Sequence, residues 1–299
     1  MSALALPRRR RRRPRAMVVT AAIFVPPALL IFTLFVALPM AEAARYSLFN
    51  WNGYGVPTRF VGLGNFAQLF ANDTFRQAAL NNLAIVLASF GLQLPLALAM
   101  ALLLCRREVG TVAFRTIFFL PYILADVAAG LIFRFLFDGD SGPISSLSQQ
   151  LGFGPVFLLA SPGTAMVVLV VAIVWKYFGF HMMLYIAGLQ GIDASLYEAA
   201  RMDGASRLQR FRFITLPGLA PMLKLSVFFS IIGALQLFDM VIPLTGGGPF
   251  DRTHTMVSFL YSFGMGRMRI GFGSAVGVVL FCVSVAFAFG YKRAFMRDE

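Results

Sequence analysis

Three charged side chains stand out among those in the long apolar stretches of the sequence: Asp126, Lys176 and Asp239. A charge in the middle of a membrane is costly, so such residues usually pair with one another or line a polar route. With a helix rise of about 1.5 Å per residue, Asp126 and Lys176 are predicted at similar depths, whereas Asp239 lies nearer one end of its stretch. Lys176 is therefore expected to pair with Asp126 rather than with Asp239.

These charges have two interpretations, and the sequence leaves both open. The first is a buried ion pair that only fixes the register of two helices. The second is the polar lining of a translocation path, in which aromatic rings cover apolar C–H surfaces while amide, amine and carboxylate groups bind hydroxyls. Gln236, three residues from Asp239, is predicted on the same helix face. The candidate path residues are Tyr122, Asp126, Trp175, Lys176, Phe180, Gln236 and Asp239.

The sequence lacks the common motifs of nucleotide, metal and redox chemistry. It contains no GxxxxGK[ST] phosphate-binding loop, so the chain is not expected to hydrolyse ATP. Cys105 and Cys282 do not have the spacing of a metal site or a disulfide framework. His181 and His254 are not part of a zinc-binding helix motif. We therefore expect no catalytic residue, no metal site and no cofactor in this chain.

The composition indicates a membrane protein. Of the 299 residues, 59% are hydrophobic and only 13% are charged, too few charges to cover a soluble domain of this size. A membrane crossing takes about 20 residues, and backbone in lipid must be helical to satisfy its polar groups. Six stretches qualify, approximately 17–40, 80–105, 112–137, 165–189, 222–244 and 270–289. The predicted fold class is an all-α integral membrane protein with six transmembrane helices.

The basic residues predict the orientation of these spans. They cluster in the tail at 1–16, around 106–115, within 201–224 and after 291, all on one side of a six-span chain. Cytoplasmic loops carry an excess of Lys and Arg, so both termini and the loop 190–221 are predicted to be cytoplasmic. The pattern is typical of topology, with lipid and not nucleic acid as the surroundings. The first stretch is too long for a signal peptide and is expected to remain uncleaved.

The loop 190–221 is strongly polar and separates the fourth and fifth predicted spans. Ser195 followed by Glu198, and Ser206 followed by Gln209, both fit the capping box that begins a helix. Gly204 between them can adopt a left-handed turn. Pro217 is expected to end the second segment. The pattern predicts a short helix–turn–helix that either rests on anionic lipid head groups or docks a soluble partner.

The loop also resembles a known signature. Glu198-Ala199-Ala200, Asp203-Gly204-Ala205, Phe211, Ile214, Leu216-Pro217 and Pro221 match the EAA signature of permease subunits of bacterial ATP-binding-cassette importers. The resemblance implies a coupling helix that seats in a groove of a cytoplasmic ATPase dimer, which carries the ATP and Mg. The implied coupling residues are Glu198, Ala199, Ala200, Asp203, Gly204, Leu216 and Pro217. Glu198 would contact a basic ATPase residue, and Gly204 would set the bend of the loop.

Two further elements resemble carbohydrate-importing members of that family. One is Val61-Gly62-Leu63-Gly64-Asn65-Phe66, before the second predicted span; the other is the segment 238–249, which resembles an FDxxxxLTGGGP element. Three glycines and a proline do not continue a helix comfortably. We therefore expect a pliable outward turn that acts as a gate or contacts an external binding protein. Its residues are Gly246, Gly247, Gly248 and Pro249.

The residues and resemblances together predict a multi-pass permease subunit of a bacterial inner membrane. It would import a carbohydrate, or a polyol or glycerol-phosphate type of solute, by alternating access. The implied partners are the ATPase dimer, an extracytoplasmic solute-binding protein and a second permease, expected to be a paralogue in a heterodimer. The alternative is a gradient-driven secondary transporter with Asp126, Lys176 and Asp239 as its relay.

Overall fold

The computed structural model describes residues 14–105 and 109–295, and its regular elements there are helices. The helices are α1 (Val18–Tyr46, with helical structure from Pro14), α2 (Gly64–Phe70), α3 (Asp73–Leu104), α4 (Val109–Ile123), α5 (Asp126–Leu136), α6 (Pro143–Gln150), α7 (Pro162–Gln190), α8 (Ala194–Met202), α9 (Arg207–Gly218), α10 (Ala220–Gln236), α11 (Val241–Thr245), α12 (Met256–Met265) and α13 (Ile270–Phe295). Residues 1–13 of the predicted tail 1–16 lie outside the described residues.

Within the described ranges, four helices are each long and apolar enough to cross a membrane: α1, α3, α7 and α13. They coincide with four of the predicted spans. The pairs α4–α5 and α9–α10 also qualify if each pair is one span, bent by 96° and 63° respectively. The described chain therefore has four to six candidate crossings. Arg106 and Arg107, which contributed to the predicted orientation, lie outside the described residues.

Helix α7 is the centre of the bundle. Half of its most apolar window is buried, against 22% for α3 and α13 and none for α1. It packs against α3, α4, α5 and α10. Side chains on α7 can therefore contact most of the bundle, whereas the most apolar window of α1 is left to face lipid or another chain.

The third and fifth predicted spans are not continuous helices. The stretch 112–137 breaks between Ile123 and Asp126, so the prediction of one continuous helix there, on which the depth estimate for Asp126 was based, is wrong. Asp126 lies in the first turn of α5. The stretch 222–244 is interrupted after Gln236 by the non-helical residues 237–240. Gln236 and Asp239 therefore do not share a helix face, and that prediction is also wrong.

Polar side chains from other helices sustain the interruption at 237–240. The Asn82 amide on α3 donates to the carbonyl of Ala234, and its Oδ1 accepts from the Met256 amide at 2.9 Å. Thr255 Oγ1 donates to the Leu237 carbonyl at 2.6 Å. Carbonyls at a helix end need such partners when they are buried. Contacts made far along the chain therefore decide where α10 ends.

Prolines inside three helices follow π-helical turns. The π turns are Thr33–Ala37, Ser89–Gln93 and Phe211–Thr215, and the prolines that follow them are Pro39, Pro95 and Pro217. A proline lacks an N–H and clashes with the carbonyl four residues earlier, and the wider turn relieves that clash. The segment that Pro217 was predicted to end runs one residue further, to Gly218, and the chain bends at Leu219.

The glycine turn after α11, predicted to be pliable, is hydrogen-bonded to the segment that follows it. Gly246 and Gly247 have φ angles of +62° and +87°, which glycine adopts without strain. A Cβ on the buried Gly247 would lie 2.0 Å from the His254 ring. The Gly247 carbonyl accepts from the Thr253 amide at 2.9 Å, and Thr253 Oγ1 donates to the Gly248 carbonyl at 2.6 Å. Thr253 and His254 therefore close this turn.

Candidate functional site

A cavity of about 420 Å³ lies between α3, α4, α7 and α10. Its polar lining consists of Ser89, Gln93, Tyr122, Tyr177, His181 and Ser230. None of the described lining residues is Asp, Glu, Lys or Arg. The cavity therefore offers hydroxyl, amide and imidazole groups and no formal carboxylate or ammonium.

The local structure of two helices aims polar groups into this cavity. The π turn of α3 places Ser89 and Gln93 side by side, with Ser89 Oγ 3.3 Å from Gln93 Oε1. On α10, Ser230 Oγ is buried and has no hydrogen-bond partner among the described residues. A buried hydroxyl without a partner is uncommon in folded proteins. Ser230 is therefore a polar residue of the cavity wall whose hydroxyl is left without a described partner.

Aromatic rings form the opposite wall of the cavity. Tyr122 of α4 stacks on Phe180 of α7 with a centroid distance of 4.9 Å. Phe229 of α10 meets Phe180 edge-on at 5.9 Å, and Tyr177 meets Tyr122 at 6.2 Å. Such faces pack well against apolar C–H surfaces.

An ion pair lies behind this aromatic wall. The Lys176 ammonium is 3.1 Å from Asp126 Oδ1, which confirms the predicted pairing. Lys176 is only 2% exposed, and neither residue is part of the cavity lining. Tyr177, which does line the cavity, donates its hydroxyl to Asp126 Oδ1 at 2.9 Å. The ion pair is therefore joined to the cavity wall by the hydrogen bond between Tyr177 and Asp126.

The helix–turn–helix predicted for the loop 190–221 is present as α8 and α9. Asp193, not Ser195, caps α8: its carboxylate accepts from the Ser195 amide at 2.9 Å, which holds the pKa of Asp193 below its usual value. Asp193 has the better position because the helix already begins at the next residue. The capping box of Ser206 and Gln209 is confirmed, with both hydrogen bonds formed. Gly204 has φ +71°, as expected of a left-handed turn.

The surface of α8 and α9 is partly apolar and well exposed. The Tyr197 hydroxyl lies 2.9 Å from Thr215 Oγ1 and ties the two helices together. Met202, Leu208 and Phe213 are 89%, 74% and 69% exposed, and Glu198 is exposed on α8. Large exposed apolar side chains in one short segment mark a contact with lipid or with another protein.

Comparison with known proteins identifies the chain. Residues 93–297 match the family described as the binding-protein-dependent transport system inner membrane component. The chain belongs to this family. It is therefore a multi-pass inner-membrane permease, and the match includes the cavity walls contributed by α4, α7 and α10 as well as the α8–α9 loop. Membership favours the binding-protein-dependent importer over the gradient-driven alternative.

Several characterised permeases resemble this permease over most of its length. The sulfoquinovosyl glycerol transport permease SmoG of Agrobacterium fabrum is 32% identical over 274 residues, covering 91% of this chain and 89% of SmoG. The lactose transport permease LacF of Rhizobium radiobacter is 35% identical over 251 residues, covering 80% and 81% of the two chains. A solved bacterial transporter for the acidic polysaccharide alginate has the same fold, with a TM-score of 0.82 and 22% identity over 95% of this chain and 96% of that chain.

The permease distributes the predicted path residues over several environments. Tyr122 and Phe180 line the cavity, and Asp126 and Lys176 lie behind its wall. Trp175 packs into the core against Phe133, with their rings 5.2 Å apart. The remaining two, Gln236 and Asp239, are exposed where α10 ends.

The predicted contact residues at the two ends of the permease are mostly exposed. In the α8–α9 loop these are Glu198, Ala199, Asp203, Gly204, Leu216 and Pro217, while Ala200 is half-buried. In the glycine turn Gly246 is exposed, Gly248 and Pro249 are half-buried, and Gly247 is buried. Gly247 therefore supports the turn and offers no surface for contact.

The cavity residues that sequence reasoning missed include Ser89, Gln93, His181 and Ser230. The signal was present, since each is a polar residue inside a predicted span. They were not predicted as path residues because one uncharged polar side chain hardly changes the mean hydropathy of a 20-residue stretch. Their convergence on one cavity depends on the π turn of α3 and on helix packing.

Proposed function

We propose that this permease forms one half of the membrane domain of an ATP-driven importer for a carbohydrate. The observation that carries this proposal is the cavity, which combines stacked aromatic rings with uncharged hydrogen-bonding groups and the unpartnered hydroxyl of Ser230. Sugars present both apolar C–H faces and hydroxyls, and this mixture binds them. The similar permeases SmoG and LacF, whose names specify sugar-containing solutes, support the same class.

The remaining parts of the importer are expected on separate chains. A cytoplasmic ATPase dimer, carrying ATP and Mg, would seat on the α8–α9 loop, and both termini of the permease would lie on that side. An external solute-binding protein would dock at the opposite end, near Gly246 and the exposed Gln236 and Asp239. The apolar window of α1, none of which is buried, suits a second permease, which we propose to be a paralogue. Closure of the ATPase would then change the side of the membrane to which the cavity opens.

Reconstitution of both permeases with the ATPase in proteoliposomes tests this function. Mass spectrometry of the solute that copurifies with the cognate binding protein first identifies the substrate. We expect its uptake to require internal ATP and external binding protein, and to persist when an ionophore dissipates ion gradients. Uptake that continues without ATP and stops with the ionophore would instead establish a gradient-driven transporter.

Substitution of Gln93 tests the cavity itself. Gln93→Ala removes one amide partner for a hydroxyl, and a net hydrogen bond contributes about 0.5–1.5 kcal/mol. We therefore expect the KM for uptake to rise about three- to tenfold with little change in the amount of assembled complex. Gln149→Ala removes the same group from an exposed position on α6 and is the matched control. An unchanged KM in Gln93→Ala would exclude a contact between Gln93 and the solute.

A further inference from the structure

The break between α4 and α5 leaves helix-end carbonyls beside α7. Leu124 and Ala125 are non-helical, and the two helices meet at 96°. The last carbonyls of α4 therefore have no amide partner four residues further along, and only the Pro121 carbonyl among those near Lys176 accepts a described amide, that of Leu124 at 3.3 Å. In a region without water, each unsatisfied backbone group costs several kcal/mol. Another group must satisfy these carbonyls if the break lies within the membrane.

The Lys176 ammonium occupies this position. It donates to the Leu124 carbonyl and lies 3.4 Å and 3.5 Å from the carbonyls of Pro121 and Tyr122. An ammonium has three donors and no acceptor, so it matches a cluster of carbonyls and a carboxylate. Its charge also lies at the negative end of the α4 dipole, while Asp126 places a negative charge in the first turn of α5. Both charges are thus favourable at the break.

The same cluster reaches the cavity wall. Asp126 Oδ1 accepts both the Tyr177 hydroxyl at 2.9 Å and the Lys176 ammonium at 3.1 Å. Tyr177 follows Lys176 directly on α7, and Tyr122 carries one of the carbonyls beside the ammonium. Both tyrosines line the cavity. The geometry of the break therefore sets the geometry of this wall.

We propose that Lys176 and Asp126 are positioning residues that hold α4 and α5 at their fixed angle, and through it the aromatic wall of the cavity. Lys176 replaces the amide donors that the interrupted helix lacks, and Asp126 neutralises it and orients Tyr177. Only the wall's effect on a solute rests on the proposed function. The angle between the helices does not, and it can be measured without any solute.

Spin labels on the two sides of the break measure that angle. In a background of Cys105→Ser and Cys282→Ala, cysteines replace Phe114 on α4 and Phe135 on α5, which are 53% and 60% exposed. Double electron–electron resonance on the whole importer in nanodiscs then gives the distribution of distances. We expect one narrow distribution for the labelled parent and a broad one for Lys176→Met. Lys224→Met, which removes a charge from α10, is the matched control and should remain narrow.

Two further variants keep the proposal testable. Lys176→Arg retains the charge and several donors and should restore a narrow distribution. If Lys176→Met broadened the distribution only by altering the packing, Lys176→Arg would not be expected to restore it. If Lys176→Met does not accumulate, Asp126→Asn replaces it, since this change of similar size leaves the buried ammonium without its counter-charge and should broaden the distribution. A distribution as narrow as that of the parent in Lys176→Met, or in Asp126→Asn when it takes its place, overturns the proposal whether or not the importer transports a sugar.

Discussion

Glu198→Lys is expected to reduce uptake at least tenfold while ATP hydrolysis by the assembled importer continues. The Glu198 side chain is exposed on α8 and forms no ion pair among the described residues. Its carboxylate is therefore available for the basic ATPase residue implied by the EAA signature. Reversing the charge replaces this attraction by repulsion, and like charges across an interface cost several kcal/mol. The ATPase would then close without moving α8.

Parallel measurements of ATP hydrolysis and solute uptake in proteoliposomes give the coupling ratio. Asp140→Lys makes the same change of charge at an exposed position in the loop between α5 and α6, and it should leave the ratio unchanged. Copurification of the ATPase with the variant separates lost coupling from lost docking. A parental coupling ratio in Glu198→Lys would refute the assigned contact.

Local signals in the sequence were sufficient where one short segment decides its own structure. The capping box of Ser206 and Gln209 and the left-handed Gly204 both depend on neighbouring residues, and both predictions are confirmed. At the start of α8 the predicted cap was Ser195, but the structure uses Asp193, since the helix begins at Ala194. Local rules therefore located this helix start to within two residues.

Helix breaks were not predictable because distant contacts decide them. The stretch 112–137 is apolar throughout apart from Arg115, Asp126 and Arg134, so hydropathy predicts one span. The break after Ile123 is satisfied by Lys176, which lies more than fifty residues further along the chain. The end of α10 likewise depends on Asn82 and Thr255. Sequence patterns located the charges correctly but did not show that one of them caps an interrupted helix.

The glycine turn shows why flexibility is difficult to predict from glycine content. Gly246, Gly247 and Gly248 allow many conformations when considered alone, so flexibility was the natural prediction. In the structure the absence of a side chain lets the backbone at Gly247 pass close to the His254 ring. Thr253 donates a hydrogen bond to the carbonyl of the next residue, Gly248. Glycine-rich sequence therefore indicates that the backbone is unhindered. It does not show that the segment moves.

Gly179→Ala should destabilise the permease more than a glycine-to-alanine substitution at any other position of α7. Helix α4 approaches α7 so closely at this position that a Cβ would lie 2.0 Å from the Phe118 carbonyl oxygen and 3.1 Å from the Phe119 Cα. These are backbone atoms, so no rotamer change relieves the clash, and the helices must separate. Small residues permit this kind of close packing in membranes. Overpacking typically costs about 1–3 kcal/mol, and we expect a Tm lowered by several degrees.

Gly163→Ala provides the matched control on the same helix. Apart from the neighbouring backbone of α7, no atom of the described residues lies within 4 Å of a Cβ built at Gly163. Because alanine is also the better helix former, this variant should be as stable as the parent or slightly more so. Scanning fluorimetry of the purified importer compares the two Tm values directly. Because Phe180 follows Gly179 and stacks on Tyr122, separation of α4 from α7 should also weaken solute uptake. Equal Tm values for Gly179→Ala and Gly163→Ala would show that the helices are not packed at this distance.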